Sequence, residues 1–512
     1  MAEERTSIAK EPPGVDWVIF GAAAAIVIFV CLPIIIWPQQ AAAPITATYD
    51  FIADHFGLAY QWAVIGIVGF LAWIAFSNHG TVKLGPQGSK PEFSTFSWVS
   101  MLFCAGVGAG LIYWATIEWA HYVDNPPFGT EPSSTKAVRW ATSYGLFHWG
   151  IIAWTIYALP TVAIGYAYYV VGIPHLRLSS ACHTFLGPKG ASGIRARTLD
   201  ALFMLALIGG AGTSMGLAVP MISANLADAF GFEVSPLVDL CVVAICVSLF
   251  AFTVFLGLEK GIQKLADLNV LLAMFFLIFV LVVGPTLFML KVGTESLGFM
   301  LSNMVVMLTW TDPIEQTGFV EDWTIFYWAW WIAFGPFVGI FVARISRGRT
   351  LRELILSMAV YGSLGAWLFY IVIGNYALFL DLEGIVPVRS IMAEIDPAAA
   401  IAAVVGNLPA GPIVQVLFSV ICIIFIATTY NSAAFALACA ASKAVDVGLD
   451  PARWHRLFWA LVLGLLPVAL MSVDGGIKVI LSAVLVTSLP LLVIAVLSCL
   501  NLYRSLHARG ED

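Results

Sequence analysis

Residues 104–110 read Cys-Ala-Gly-Val-Gly-Ala-Gly, and they lie within an apolar run that extends from residue 95 to residue 122. A run of this length crosses the roughly 30 Å hydrocarbon layer of a membrane as a helix. Glycine inside a helix costs about 1 kcal/mol relative to alanine, so three glycines in five residues predict an unwound segment at membrane depth. Such a segment is tolerated only against protein or a water-filled cavity, which makes it a candidate binding site. The alternative is that the small residues only let neighbouring helices pack closely.

The composition of the whole chain is that of a membrane protein. Of its 512 residues, 60% are hydrophobic and 11% are charged, whereas about a quarter of a soluble domain is charged. The pattern predicts an all-α polytopic membrane protein with twelve transmembrane helices, near residues 17–37, 57–77, 95–122, 138–170, 198–230, 236–258, 264–290, 322–344, 353–379, 412–442, 454–473 and 478–502. A further apolar stretch, 296–310, is too short to span, and we expect it to form an amphipathic helix along the periplasmic surface of the membrane.

The basic residues between the predicted spans indicate the orientation in the membrane. With both termini in the cytoplasm, 19 of the 24 lysines and arginines fall inside and five fall outside, as expected when short cytoplasmic loops carry the positive charge. The first twelve residues are polar and no cleavage pattern follows the first apolar run, so no signal peptide is predicted. We therefore expect a multi-pass protein of a bacterial cytoplasmic (inner) membrane, surrounded by the lipid bilayer. The net charge of −7 is spread over short connections and indicates no nucleic-acid partner.

A second interruption, Gly335-Pro336, lies in the eighth predicted span, where proline removes a backbone donor. The two interruptions are five spans apart, so the third and eighth spans start on opposite sides of the membrane. This spacing is typical of two inverted five-helix repeats that bind substrate and ions at broken helices near the midplane. The predicted parts are an N-terminus with two peripheral helices (1–94), a first repeat (95–292), a surface helix and linker (293–321), a second repeat (322–502) and a short C-terminus (503–512).

The tenth predicted span contains polar residues in an otherwise apolar run, with Thr428 and Thr429 at its centre. Hydroxyl and free carbonyl oxygens are hard ligands that suit a sodium ion without a carboxylate. The alternative is that the hydroxyls bond back to carbonyls of their own helix.

Two groups of aromatic residues lie near the middle of predicted spans. The fourth span carries Trp149, Trp154 and Tyr157, and the eighth carries Tyr327, Trp328, Trp330, Trp331 and Phe334. Aromatic faces attract a quaternary ammonium group, at about 0.5 to 2 kcal/mol for each ring once water is excluded. The alternatives are core packing or an interfacial belt.

The two intramembrane carboxylates that stand out are Glu118 and Asp267. Both lie close to the ends of their predicted spans, so structural pairing and a role in coupling stay open. The eight cysteines form no CxxC pair, and we interpret them as small buried hydrophobic residues.

These motifs together resemble the betaine/choline/carnitine transporter (BCCT) family. The resemblance is carried by residues 326–331 (Phe-Tyr-Trp-Ala-Trp-Trp), 343–350 (Ala-Arg-Ile-Ser-Arg-Gly-Arg-Thr), 146–150 (Leu-Phe-His-Trp-Gly), 212–217 (Gly-Thr-Ser-Met-Gly-Leu) and the glycine run. It covers nearly the whole chain. It implies a LeuT-type core in spans three to twelve behind two peripheral spans, a homotrimer, and a small-molecule substrate with a quaternary ammonium or dimethylsulfonium group.

The resemblance also implies which residues bind the substrate. An aromatic box would consist of Trp149, Trp154, Tyr157, Trp330 and Trp331. Two further positions depart from the family pattern: His121 stands where carnitine exchangers have a tyrosine, and Phe334 where betaine carriers have a tryptophan. Choline carriers tend to place an aspartate in the glycine run, whereas this chain has Ala109, which favours a zwitterion.

The sodium ion can be assigned by the same resemblance. Its ligands would be the backbone oxygens of Cys104 and Val107 together with Phe425, Thr428 and Thr429. Sodium-independent carnitine exchangers replace this ion with an arginine in span seven, at a position that is Asn269 here. The second sodium site of the family uses threonines in span five, where this chain reads Gly-Gly-Ala-Gly at 209–212.

The sequence therefore predicts a sodium-coupled secondary transporter that imports glycine betaine, dimethylsulfoniopropionate or carnitine by alternating access. One alternative is a sodium-independent exchanger of carnitine and butyrobetaine type. A different class is a membrane sensor that binds its ligand without moving it. No HExxH, paired-carboxylate or nucleophile motif indicates an enzyme, and no cofactor is expected besides the coupling ion.

Overall fold

The structure is a computed structural model, and it describes residues 13–187, 189–190, 193–446, 449–471 and 476–510. Over these residues the chain is almost entirely helical. The extended pairings found there are two isolated β-bridges, Val15 with Ser442 and Lys83 with Thr350. The fold is therefore all-α, as predicted.

Ten helices make up the N-terminal part of the chain. They are α1 (Trp17–Ile36), α2 (Pro38–Phe76), α3 (Thr95–Gly106), α4 (Ala109–Asp124), α5 (Thr135–His148), α6 (Ile151–Tyr166), α7 (Ile194–Phe230), α8 (Pro236–Leu256), α9 (Gln263–Val283) and α10 (Thr286–Thr309). Short 3-10 helices lie at Asn78–Thr81 and Leu178–Phe185, and π-helical turns at Ala167–Val171 and Leu258–Ile262.

Nine helices follow in the C-terminal part. They are α11 (Phe326–Ile345), α12 (Leu351–Ser357), α13 (Ser363–Phe369), α14 (Asn375–Leu382), α15 (Val388–Glu394), α16 (Pro397–Gly406), α17 (Gly411–Ala440), α18 (Arg453–Met471) and α19 (Gly476–Gly510). A π-helical segment, Val320–Ile325, leads into α11. Two more, Met358–Gly362 and Tyr370–Gly374, join α12, α13 and α14 into one span.

The described residues contain nine helices, or continuous helical segments, that are long and apolar enough to cross a membrane, and the bent pair α3 and α4 makes a tenth. Nine of these ten coincide with predicted spans. The other three predicted spans coincide with α1, α7 and α18. The chain is thus a polytopic helical membrane protein, with a helix at each of the twelve predicted positions.

The apolar helix that matches no predicted span is α10. It differs in its bounds from the predicted surface helix at 296–310. It has 24 residues and begins at Thr286, because Gly284-Pro285 ends the preceding helix at Val283. The prediction that this segment is too short to span was wrong, since α10 is long enough by length and composition. Its position along the membrane surface stays a prediction.

The break predicted in the glycine run is present. Helix α3 ends at Gly106 and α4 begins at Ala109 after a bend of 64°. Val107 and Gly108 between them have extended backbone angles, with φ of −134° and −110°. The carbonyl groups at the end of α3 therefore lack the next helical turn as a partner.

The second predicted break, at Gly335-Pro336, was wrong, because α11 runs through both residues as one helix. The glycines here serve packing instead. A Cβ atom on Gly339 would lie 2.9 Å from Pro160 of α6, and one on Gly335 would lie 3.4 Å from it. With one of the two breaks missing, the inverted-repeat organisation rests on the family resemblance and stays a prediction.

Helix α11 is the centre of the molecule. Every residue of α11 is buried, and its neighbours include α6, α7, α17 and α19. In contrast, α8, α9 and α10 expose large apolar side chains such as Phe252, Phe275 and Leu287. Those three helices therefore lie at the apolar outer surface of the chain, whereas the candidate site around α11 is buried inside it.

Candidate functional site

The break between α3 and α4 lies against α17. The Thr429 hydroxyl lies 3.0 Å from the Cys104 carbonyl oxygen of α3 and equally far from the Phe425 carbonyl of its own helix. The Thr428 hydroxyl donates to the Phe425 carbonyl at 2.9 Å. A Cβ atom on Gly108 would lie 2.9 Å from the Thr429 hydroxyl oxygen. Glycine at position 108 is thus what allows the break to approach α17.

Four of the five predicted sodium ligands meet at this contact, namely Cys104, Phe425, Thr428 and Thr429. The fifth, Val107, is buried within the break next to Gly108. Both hydroxyls also bond within α17, as the alternative interpretation expects, and the Thr429 hydroxyl in addition reaches the Cys104 carbonyl oxygen of α3. Among the described residues, no group of three or more His, Cys, Asp or Glu side chains is placed to hold a metal ion. A cation here would therefore be bound by carbonyl and hydroxyl oxygens.

Asn269 of α9 lies on the other side of Cys104. Its amide nitrogen is 3.5 Å from the Cys104 sulfur, and its side chain is fully buried. Asn269 thus reaches the predicted sodium site with a neutral side chain.

The aromatic cluster consists of Trp149, Tyr157, Trp330 and Trp331. The Trp331 ring lies 4.9 Å from Trp149, 5.6 Å from Tyr157 and 5.2 Å from Trp330, measured between ring centroids. Trp149 and Tyr157 meet Trp331 edge to face, whereas Trp330 and Trp331 are stacked at 12°. Four of the five residues predicted for the box are therefore in direct ring contact, all of them buried.

The fifth predicted box residue, Trp154, has a different environment. Its ring contacts Tyr157 and Phe103 and lies between two glycines on other segments. Cβ atoms on Gly106 and Gly362 would lie 2.6 Å and 2.0 Å from its ring atoms. Trp154 thus packs against the helix break, and its ring contact with the aromatic cluster, among the described residues, is with Tyr157.

Phe334 lies beside the cluster, 6.2 Å from Trp330. A Cβ atom on Gly210 of α7 would lie 2.2 Å from the Phe334 ring. The absence of a side chain at Gly210 therefore makes room for this ring.

His121 and Ala109 occupy opposite ends of α4. Ala109 is the first residue of the helix and is buried at the break. The His121 ring lies 5.5 Å from Trp323 and 6.1 Å from Trp114. All three line an open vestibule of 790 Å³, whose wall includes the carboxylates Asp50, Asp124 and Asp322. His121 thus lines the vestibule, and its ring contacts are with Trp114 and Trp323.

A second discontinuity, which the sequence analysis did not single out, lies at Trp149-Gly150 between α5 and α6. It leaves the carbonyls of Leu146 and His148 without helical partners. The Trp367 indole N–H donates to the Leu146 carbonyl at 2.8 Å, and the Trp331 indole N–H donates to the His148 carbonyl at 3.0 Å. Indoles from two other helices therefore fix the turn from which Trp149 projects.

The opposite end of the molecule is held together by ion pairs. The Arg344 guanidinium lies 3.1 Å from Glu92 and 3.6 Å from Asp450, and Asp450 also lies 3.8 Å from Arg456. Both arginines are almost completely buried. Phe326, which lines the vestibule, and Arg344 thus lie at opposite ends of α11.

Comparison with known proteins agrees with this architecture. The model of the betaine/carnitine/choline transporter family, BCCT, matches residues 18–511. The chain belongs to the BCCT family. It is similar to a carnitine transporter of Acinetobacter baumannii, with 33% identity over 443 residues that cover 86% of this chain and 80% of the relative.

Among solved structures, this BCCT chain is similar to a Na⁺-coupled sialic acid symporter in a substrate-bound outward-open state. The two are 12% identical, with a TM-score of 0.38 over 91% of this chain and 80% of the other. Family membership identifies the chain as a multi-pass membrane transporter of a small molecule and not as an enzyme.

Proposed function

We propose that this BCCT transporter imports a zwitterionic quaternary-ammonium or dimethylsulfonium compound and couples its uptake to sodium. The observation that carries the proposal is the aromatic cluster of Trp149, Tyr157, Trp330 and Trp331 at the centre of the membrane-spanning region. A quaternary ammonium cannot donate hydrogen bonds, so ring faces bind it better than a hydrogen-bonding carboxylate does. The relative named as a carnitine transporter supports carnitine as a member of this substrate class.

Sodium coupling is supported by the contact between Thr429 and the Cys104 carbonyl. A sodium ion bound among these oxygens would hold the break against α17 and so order the helix that carries Ala109. Each sodium ion that moves inward at −100 mV supplies about 2.3 kcal/mol, enough for accumulation by a factor of tens. The neutral Asn269 beside Cys104 leaves this site without a fixed positive charge.

The proposal extends to cellular placement and assembly. We place the protein in the bacterial cytoplasmic membrane with both termini in the cytoplasm, on the strength of the basic-residue bias. A homotrimer is proposed from family membership alone.

The test is transport by the purified protein in liposomes. Labelled carnitine, glycine betaine, choline and dimethylsulfoniopropionate are each supplied outside, with an inward gradient of sodium or of potassium as the matched control. We expect a zwitterion to accumulate above its external concentration only with the sodium gradient. Uptake that ignores sodium and requires substrate preloaded inside would support the exchanger instead, and binding without flux would support the sensor.

A further inference from the structure

The carboxylate of Glu118 is buried in the centre of a polar network that the transport proposal does not use. Its two oxygens accept hydrogen bonds from the hydroxyls of Tyr122 and Tyr370. Its side chain is fully buried, and His148 Nδ1 lies 3.9 Å from the carboxylate. Among the described residues, His148 is the basic side chain found within ion-pair distance of Glu118.

The hydrogen-bond pattern is compatible with the following arrangement of protons in this network. Since the Tyr122 hydroxyl donates to Glu118, its oxygen accepts from His148 Nδ1–H at 3.0 Å. The other ring nitrogen of His148 then accepts from the Thr324 hydroxyl at 3.2 Å. All of these bonds can be made with a neutral His148 and an ionised Glu118, which is the state that the proposal below requires. In that state the network carries one net negative charge.

This charge lies directly behind the aromatic cluster. Tyr370, which donates to Glu118, has its ring 6.3 Å from Trp149. The His148 ring stacks on Tyr327 at 4.7 Å, and Tyr327 in turn stacks 5.6 Å from Trp331. One layer of aromatic rings thus separates the carboxylate from the rings proposed to hold the substrate.

We propose that Glu118 is the counter-charge for the cationic group of the substrate and sets the preference for a cation over a neutral group of the same shape. The proposal rests on the proposed function. Aromatic faces alone attract a cation at short range, whereas a buried carboxylate acts through space because little water screens it. At a separation on the order of 10 Å and an effective dielectric constant of about 20, the attraction changes affinity about tenfold.

The experiment compares each betaine with its isostere in which carbon replaces the quaternary nitrogen. The pairs are glycine betaine with 3,3-dimethylbutanoate and carnitine with 3-hydroxy-5,5-dimethylhexanoate. Binding to the purified full-length protein is measured by displacement of the labelled betaine, in wild type, Glu118→Gln, Tyr370→Phe and Glu295→Gln. Glu295 is an exposed carboxylate paired with Arg139 at 2.9 Å, so its replacement controls for the loss of a charge elsewhere.

We expect Glu118→Gln to weaken betaine binding and not to weaken binding of the isostere, which has no cationic group to lose an attraction. The preference for the betaine over its isostere should therefore fall about tenfold. Tyr370→Phe removes a hydrogen-bond donor but keeps the Glu118 carboxylate. The ratio of betaine affinity to isostere affinity should therefore stay at the wild-type value, even if both affinities fall. Glu295→Gln matches wild type for both ligands. This combination of results distinguishes a counter-charge role of Glu118 from a structural role in which its hydrogen bonds only position the helices.

Parallel loss of both ligands in Glu118→Gln, or retained discrimination, would overturn the counter-charge. If Glu118→Gln does not fold, Tyr370→Phe still tests the proposal. A Tyr370→Phe protein that no longer prefers the betaine over its isostere, although the Glu118 carboxylate is present, would contradict it. A wild-type protein that binds no betaine would instead refute the proposed function, so the two failures are distinguishable.

Discussion

The Thr429 hydroxyl oxygen lies 3.0 Å from the carbonyl oxygen of Cys104, across the interface between α17 and α3. These residues are 325 positions apart in the chain. The contact is made at the last full turn of α3 before the break, so it joins the interrupted helix to a continuous one. We therefore expect changes at this contact to alter the position of the break.

Replacing Thr429 by alanine removes the hydroxyl that reaches α3. We expect Thr429→Ala to raise the sodium concentration for half-maximal transport several-fold, because one oxygen of the proposed site is lost. Liposome uptake measured over a series of sodium concentrations checks this. Ser419→Ala is the matched control, since the Ser419 hydroxyl bonds within α17 to the Gln415 carbonyl at 2.8 Å. An unchanged sodium dependence in Thr429→Ala would remove this residue from the site.

Two glycines of the same run are expected to respond differently to alanine. The new Cβ atom of Gly108→Ala would meet the Thr429 hydroxyl at 2.9 Å, whereas the Cβ atom of Gly110→Ala meets no other atom within 4 Å. We expect Gly108→Ala to lose most sodium-dependent uptake and Gly110→Ala to keep its sodium dependence. Uptake and thermal melting are measured on both variants. Equal effects would mean that the run responds to helix propensity alone.

Trp331 contacts three other rings of the aromatic cluster, so its loss is expected to weaken substrate binding. Trp331→Leu should raise the Kd at least tenfold, from the lost ring face and the lost bond to the His148 carbonyl. The control is Trp37→Leu, because Trp37 lies at the end of α1 and is 55% exposed. Titration with the labelled betaine measures both. Similar losses in the two variants would favour packing or a belt role for these tryptophans.

Trp367 is expected to affect binding although it lies outside the aromatic cluster. Trp367→Phe removes the N–H that bonds to the Leu146 carbonyl, which leaves a buried carbonyl without its partner beside Trp149. We expect an approximately tenfold higher Kd with a smaller change in the maximal transport rate. Trp98→Phe is the control, since the Trp98 indole bonds to the Ser346 hydroxyl at 3.0 Å. If both variants bind like wild type, the turn at Trp149 does not depend on this bond.

The positions of the membrane-spanning helices could be predicted from the sequence, because an apolar run long enough to cross the membrane is visible in the sequence itself. Local irregularities could not be predicted so well. The three glycines in five residues coincide with a break at Val107-Gly108, whereas α11 continues through Gly335-Pro336. In α11, Gly335 and Gly339 instead allow Pro160 of the neighbouring helix to pack closely. Glycine thus lies at a break in one helix and at a close helix contact in another. Which of the two occurs depends on the packing of the neighbouring helix, which the local sequence does not show.

The candidate site was predictable where a motif carried it and not where contacts are distant in sequence. Glu118 was noticed as an intramembrane charge, but its partner Tyr370 is 252 residues away. Trp367 and Leu146 are 221 residues apart. His148 belongs to a recognised motif, yet nothing in the motif shows that its ring nitrogens bond to Tyr122 and Thr324. Pairings of this kind follow from tertiary packing, which a single sequence does not encode locally.

The ring of Trp154 lies between Gly106 and Gly362. This packing limits which substitutions can accumulate at the three positions during evolution. A methyl group at either glycine would overlap the ring, so neither position can acquire a larger residue while the tryptophan remains. A smaller side chain at position 154 would first have to leave a cavity, which costs about 3–5 kcal/mol for a buried tryptophan. The three positions can therefore diverge only in one order, through a less stable ancestor, and we expect lineages that keep the tryptophan to keep both glycines.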